Sequence, residues 1–301
     1  MSLIVTPPDS GERPIPFAEL VDKVGAELPA SLPKDLSKIL VALDVDGTLL
    51  LPHGASPNVL ETYRALVEAG ANVVIASGRG IEAVRPVLGH LQTDRGWSVC
   101  SNGAVLVNWH PEVEDGVEVM KTHTFTPGHV IKTLLADMPD LYIGVETRKG
   151  FLLSEPFPRD VFFEETWVTP METLHSTVTT RVVALSERME LEDFIDRLES
   201  LDLDGHCEYA VGWTSWVDIA PAGCTKATGL QDLADTLGIA PEATIAVGDG
   251  LNDIEMLEWA GHGVAMGSAI PQVRRAADAT TGSVENDGAA ALMRALLEWA
   301  K

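Results

Sequence analysis

The sequence predicts an α/β protein: a parallel-sheet core domain interrupted by an inserted α+β cap domain. Three observations carry this prediction. Early in the chain, short apolar and β-branched runs alternate with helical patterns, as in βαβ units. The same alternation resumes after about residue 213. Between the two stretches, hairpin-like strand pairs surround just two helical patterns, which suits an antiparallel sheet. The 301 residues are 46% apolar and 22% charged, enough for two domains with a core each and wrong for a disordered chain.

Residues 1–37 carry Pro7, Pro8, Pro14, Pro16, Pro29 and Pro33 and read as an extension with one short helix at 17–28. The first core strand is 38–44 (KILVALD), an apolar run of the kind buried on both faces in a parallel sheet. A helix at 57–69 follows, with Pro57 in its first turn and Gly70 as its stop. Next come a strand at 71–76, a helix at 81–88, and strands at 97–101 and 104–108 around the hairpin signal Asn102-Gly103. The core thus covers 38–108 and 213–301, and the insert 109–212. Within the insert the patterns predict helices at 127–138 and 189–201. Its strands are expected at 118–124, 141–147, 151–154, 180–186 and 206–210. The last part reads helix 225–237, strand 243–247, helix 253–260, strand 262–265, a small helix after Pro271 and an amphipathic helix at 288–299.

The formal charge is −24. Such acidity argues against a general nucleic-acid binder, whose affinity comes from Lys and Arg on phosphates, and against anionic membrane surfaces. A small phosphorylated substrate stays compatible, because salt screens the net field within about 8 Å. The insert holds eight Lys and Arg against 21 Asp and Glu, so more than half of the excess lies there. Cys100, Cys207 and Cys224 are far apart and form no CxxC, which reads as reduced thiols. No apolar run approaches a membrane span and the N-terminus lacks a signal-peptide pattern, so the expected location is cytoplasmic.

Four segments are candidates for chemistry. Asp44-Val45-Asp46-Gly47-Thr48 ends the first strand, where residues two apart point to the same side, so Asp44 and Asp46 face one site. Ligands of open α/β sheets bind beyond such strand ends. A polar turn with Asp46 capping a helix is the plainer alternative. Gly248-Asp249-Gly250-Leu251-Asn252-Asp253 follows another apolar strand and adds two carboxylates, although Asn252 with Glu255 also reads as a capping box. Carboxylates gathered at one site repel each other unless protonated or bound to a cation, and oxygen-only ligands suit Mg²⁺. Ser77-Gly78-Arg79 offers a hydroxyl and free backbone N–H groups at a helix start, a cradle for phosphate or simply an N-cap. Lys226 is either a solvated helical lysine or the cation that balances these carboxylates. The eight histidines show no metal-ligand spacing. Trp109, Trp167, Trp213 and Trp216 either line a cleft in the insert or belong to its core, and Arg148-Lys149 reads as a solvated turn.

In order and strand-end placement these segments resemble the four motifs of the haloacid dehalogenase superfamily, and in particular its Cof-type hydrolases. The spacing is similar too: 33 residues separate Asp44 from Ser77 and 149 separate Ser77 from Lys226, which leaves room for a cap only between the second and third motifs. Ser101-Asn102-Gly103-Ala104 and Glu285-Asn286-Asp287-Gly288 also resemble Cof-type features, and the likeness covers about 38–301. It implies a Rossmann-like core and a phosphatase for small phosphate monoesters such as sugar phosphates or nucleotides. By that resemblance Asp44 is the nucleophile and forms an aspartyl-phosphate. Asp46 protonates the leaving alcohol and then activates water, and Ser77 and Lys226 hold the phosphoryl oxygens. Asp44, the Asp46 backbone carbonyl and Asp249 bind Mg²⁺, with Asp253 helping to position it. Thr48 and Asn252 orient these groups, and Gly78 and Arg79 belong to the phosphate-binding loop. Two other functions fit the same residues: phosphoryl transfer of the phosphomannomutase type, and a catalytically silent binding module. Neither oligomeric state nor a specific substrate is legible.

Overall fold

The computed structural model describes residues 11–158, 161, 162, 164–203 and 205–301. The N-terminal residues 1–10, part of the expected extension, lie outside the described residues. An eight-stranded sheet runs in the order β14 (Ala279–Thr280), β13 (His262–Ala265), β12 (Thr244–Gly248), β1 (Leu40–Leu43), β2 (Asn72–Ala76), β3 (Gly96–Cys100), β4 (Val105–Trp109), β5 (Val117–Thr122). Pairing is parallel from β14 through β3 and antiparallel for β3–β4 and β4–β5.

Strand β1 is buried along its whole length because it is covered on both faces. Leu40 and Ala42 pack with Leu230 and Leu233 of the helix Lys226–Leu237. Val41 and Leu43 pack on the other face with Leu66 of the helix Pro57–Glu68 and Leu292 of the helix Gly288–Trp299. The described part of the extension belongs to this core. Leu20, Val21 and Val24 of the helix Phe17–Glu27 join the same apolar cluster as Ala291, Ala295 and Leu296. Glu12 accepts hydrogen bonds from the Ser283 backbone N–H (2.6 Å) and Asn286 Nδ2 (2.8 Å).

A six-stranded sheet runs β10 (Cys207–Val211), β11 (Trp216–Pro221), β9 (Val182–Leu185), β6 (Tyr142–Thr147), β7 (Gly150–Leu153), β8 (Glu165–Val168). All its pairs are antiparallel except β7–β8. The helices Gly128–Asp137 and Leu191–Ser200 cover one face, burying Ile131, Leu134, Phe194 and Leu198 over Ile143, Val145, Val217 and Ile219. The other face carries Glu146, Arg181 and Asp218, all within reach of one another.

The sheets divide the chain at different points from the expected boundaries of 109 and 212. The segment Val117–Thr122, read as part of the insert, extends the eight-stranded sheet. Trp216–Pro221, read as core, is a strand of the six-stranded sheet. In both cases pairing partner, not local pattern, decides membership: β5 is carried onto β4 by a hairpin, and β11 lies between β10 and β9. Among the described residues no helix is long and apolar enough to cross a membrane.

Candidate active site

The candidate residues converge because β1, β2 and β12 are parallel neighbours in register. Leu43 pairs with both Ile75 and Val247, so the residues that follow each strand emerge side by side at one sheet edge. The Asp44 backbone N–H still donates to the Val247 carbonyl at 3.0 Å, which fixes the first carboxylate beside the Gly248–Asp249 turn. Gly47 takes a φ of +89°, and a Cβ there would stand 2.4 Å from Asp249 Oδ2. The turn therefore needs glycine both for its backbone and for its approach to the second carboxylate.

Asp44, Asp249 and Asp253 are all buried, with carboxylate oxygens within 4.8 Å of one another. The Lys226 ammonium, 1% exposed, donates to Asp44 Oδ1 (2.7 Å) and Asp253 Oδ1 (2.6 Å). It is positioned by the first turn of its helix, where Thr225 is the N-cap and exchanges hydrogen bonds with Thr228. Asp253 turns its other oxygen to the backbone N–H groups of Asp249 (2.9 Å) and Gly250 (2.8 Å), closing the loop on itself. Thr48 Oγ1 donates to Asp249 Oδ1 at 3.1 Å. Asn252 does not cap a helix through Glu255; its Nδ2 donates to Asn102 Oδ1 at 2.9 Å and so ties two loops together.

One buried ammonium faces three buried carboxylates, and the titration of Asp44, Asp249 and Lys226 reflects that imbalance. Burial, and after it the Asp253 charge, lift Asp44 to about 7 against the opposing pull of Lys226. Burial and the charges of Asp44 and Asp253 push Asp249 well above the usual carboxylate range. Burial works against the Lys226 ammonium, but Asp253 and Asp44 outweigh it and hold its pKa above that of an ordinary lysine. An all-oxygen donor set in which three carboxylates outnumber one ammonium fits a hard divalent cation such as Mg²⁺.

Asp46 stands apart from this triad. Both of its oxygens are taken by Arg79, whose Nε and Nη2 donate at 2.8 and 2.6 Å. The fork of Arg79 holds the Asp46 carboxylate and leaves free of this pairing its backbone carbonyl, the group expected at the metal. Ser77 is buried, and its Oγ accepts from the Arg79 backbone N–H at 3.2 Å. Gly78 sits against the Asn102 side chain.

A cavity opens beside Lys226, Asn252 and Asn102, between these loops and the Tyr209–Val211 stretch of β10. Glu199, Glu208, Asp218 and Glu255 give it an acidic lining. None of the tryptophans read as either cleft or core is among its described lining residues. Trp109 is instead buried in the core with its Nε1 on Ser98, and Trp216 packs against Phe157 and Phe162. The sequence offered no sign of Tyr209, Glu208 or Glu146, and only a faint one of Arg181. A charged residue directly preceding a buried apolar strand, as Arg181 precedes Val182-Val183-Ala184, was the one available signal.

A family model described as haloacid dehalogenase-like hydrolase matches residues 41–293. The 5-amino-6-(5-phospho-D-ribitylamino)uracil phosphatase YitU of Bacillus subtilis is 31% identical over 269 residues, covering 85% of this chain and 96% of that protein. The pyridoxal phosphate phosphatase YbhA of Escherichia coli is 28% identical and covers 83% of this chain and 96% of that protein. Among solved structures, the phosphatase BT1666 from Bacteroides thetaiotaomicron superimposes with a TM-score of 0.69 at 26% identity, covering 90% of this chain and 99% of that one.

Proposed function

The chain belongs to the haloacid dehalogenase-like hydrolases and is a phosphatase of the Cof type; from that premise we propose a Mg²⁺-dependent hydrolase of small phosphate monoesters that works through an aspartyl-phosphate. The relatives named above act on phosphorylated ribitylaminouracil and on pyridoxal phosphate, which supports a small phosphorylated metabolite as substrate. The observation that carries the mechanism is the buried triad Asp44, Asp249 and Asp253 around Lys226, which itself lines a cavity between the site loops and the six-stranded sheet.

Asp44 attacks phosphorus, the phosphorus–oxygen bond to the alcohol breaks, and the phosphoryl group moves to the Asp44 carboxylate. Water then attacks the aspartyl-phosphate, releasing inorganic phosphate and restoring Asp44. Asp46 donates a proton to the leaving oxygen and later accepts one from that water. To do so it must leave the Arg79 fork, which happens when the phosphoryl oxygens offer Arg79 a competing acceptor. Ser77 and Lys226 hold the phosphoryl oxygens, and Thr48 and Asn252 keep Asp249 and the neighbouring loops oriented. Mg²⁺, held by Asp44, Asp249 and the Asp46 backbone carbonyl with Asp253 beside them, would neutralise the carboxylate and phosphoryl charge. The three cysteines are free and buried, which supports the reducing cytoplasm as the enzyme's compartment.

The test is phosphate release from a generic aryl phosphate with and without Mg²⁺. Wild type should turn over only with the metal, and Asp44→Asn should release no phosphate. Full activity in a folded Asp44→Asn protein would sink the mechanism. With sugar phosphates, isomerised product in excess of free phosphate would show a mutase instead.

A further inference from the structure

The six-stranded sheet meets the phosphate loop through a buried polar junction that the mechanism above does not use. Its centre is Arg181, 8% exposed, whose guanidinium lies over the Phe151 ring at 5.3 Å. Nε and Nη2 donate to Glu146 Oε2 and Oε1, both at 3.2 Å, and Nη1 donates to Asp218 Oδ1 at 3.2 Å. The pairing of Val145 with Val182 places Glu146 opposite Arg181, so these groups share one face of the sheet. The same Nη1 reaches across to the eight-stranded half of the molecule and donates to the Gly78 carbonyl at 2.7 Å. Ser101 Oγ, at the other side of the junction, donates to Glu146 Oε2 at 2.9 Å.

The Gly78 contact bears on the reacting groups. A trans peptide points its C=O and N–H in opposite directions, so a donor that holds the Gly78 carbonyl also aims the Arg79 N–H. That N–H donates to Ser77 Oγ at 3.2 Å, which leaves the hydroxyl proton of Ser77 to point elsewhere. The carbonyls on either side are tied as well: Ser77 C=O accepts from Asn102 N–H (3.1 Å) and Arg79 C=O from Ser101 N–H (2.8 Å). Of three successive carbonyls in the loop, the middle one is held, among the described residues, by Arg181 of the cap sheet. The approach is close: a Cβ on Gly80 would lie 2.1 Å from Glu146 Oε1.

We propose that Arg181, braced by Glu146 and Asp218, is a positioning residue: seating of the cap sheet orients the Gly78–Arg79 peptide and with it the Ser77 hydroxyl for the phosphoryl group. The inference rests on Ser77 being a phosphoryl-holding residue, as in the proposed function. It makes phosphate affinity depend on cap seating even for substrates too small to touch the cap.

Two variants of the full chain test it. Arg181→Lys keeps the charge and loses the planar fork. Gly80→Ala, at a residue with ordinary negative φ, removes no polar group but pushes the Glu146 carboxylate off the loop. Calorimetry with inorganic phosphate on the Mg²⁺-loaded protein, and KM and kcat with an aryl phosphate, are the readouts. Both variants should raise the phosphate Kd and KM together by about tenfold or more while kcat falls less than threefold, as loss of one charge-assisted contact to the loop predicts. A merely structural role would lower the melting temperature and leave Kd and KM within twofold in the folded protein; that result overturns the proposal. So does a fall in kcat at unchanged KM. Should Arg181→Lys fail to fold, Gly80→Ala decides by the same criterion. Wild type that binds phosphate yet hydrolyses no ester would defeat the proposed function while the calorimetry still reads this inference.

Discussion

Replacing Asp44 by Asn should make the metal-free protein more stable at the pH where it abolishes the chemistry. Asp44 is buried among Asp249, Asp253 and Lys226, and its carboxyl is lifted from 3.8 to about 7 by burial and by the Asp253 charge. An acid with a folded pKa above its unfolded value stabilises the fold fully below pH 4, and that stability is lost as pH rises from there through about 7. At about 1.4 kcal/mol per tenfold change in proton affinity, the loss in wild type is on the order of 4 kcal/mol by pH 8. The amide in the Asp44→Asn variant never ionises, while Lys226 keeps Asp253 as partner. Because the variant also forfeits the Lys226 salt bridge, roughly 1–3 kcal/mol should be recovered at pH 8. At about 2–4 °C per kcal/mol for a domain of this class, that is a rise of roughly 2–12 °C. The assay is thermal unfolding of both proteins in chelator at pH 5 and pH 8, with the gain present at pH 8 and largely gone at pH 5. An Asp44→Asn protein that melts at or below wild type at pH 8, or that shows the same offset at both pH values, refutes the electrostatic reading of the triad.

Lys226→Met should act in the opposite direction, since it strands Asp44 and Asp253 without their buried cation; a loss of about 3–5 kcal/mol in the metal-free protein is expected from melting curves. Mg²⁺ at about 100 times its Kd should add about 2.7 kcal/mol to wild type, read as a rise in melting temperature. Gly47→Ala places a Cβ 2.4 Å from Asp249 Oδ2 at a φ of +89°, so it should lower stability by about 1–3 kcal/mol and Mg²⁺-dependent turnover at least about tenfold, measured as phosphate release. The acidic cavity lining of Glu199, Glu208 and Glu255 should repel a second phosphate on the leaving group. Sugar bisphosphates should accordingly show about tenfold lower kcat/KM than matching monophosphates, and equal or better turnover would contradict that role for the lining.

Much of the core was legible because its signals are local. The helix Pro57–Glu68 begins at its proline, the strand Thr244–Gly248 is a continuous apolar run, and Asn102-Gly103 lies in the turn between β3 and β4. Domain edges were less legible because strand pairing is non-local. Val117–Thr122 has an exposed pattern that suits the edge of either sheet, and Trp216–Pro221 lies just beyond the expected boundary at 212, next to the core helix that follows it. The site divides in the same way. Asp44, Asp249 and Lys226 sit at motif positions with strand ends or helix starts to mark them, whereas Glu146, Arg181 and Asp218 are charged residues scattered through the insert and its far edge.

By itself the sequence determined the fold class, the identity of the carboxylates and lysine, and the acidity of the inserted part, because each depends on residue type and short-range spacing. Only the tertiary structure decided how those charges pair. It set Lys226 between Asp44 and Asp253, locked Asp46 in the Arg79 fork and brought Arg181 onto the Gly78 carbonyl. Those contacts join residues up to 182 positions apart. Nothing local selects one partner over another at such separations; burial does, since a charge removed from water must find its complement among whatever the packed strands bring within hydrogen-bonding distance.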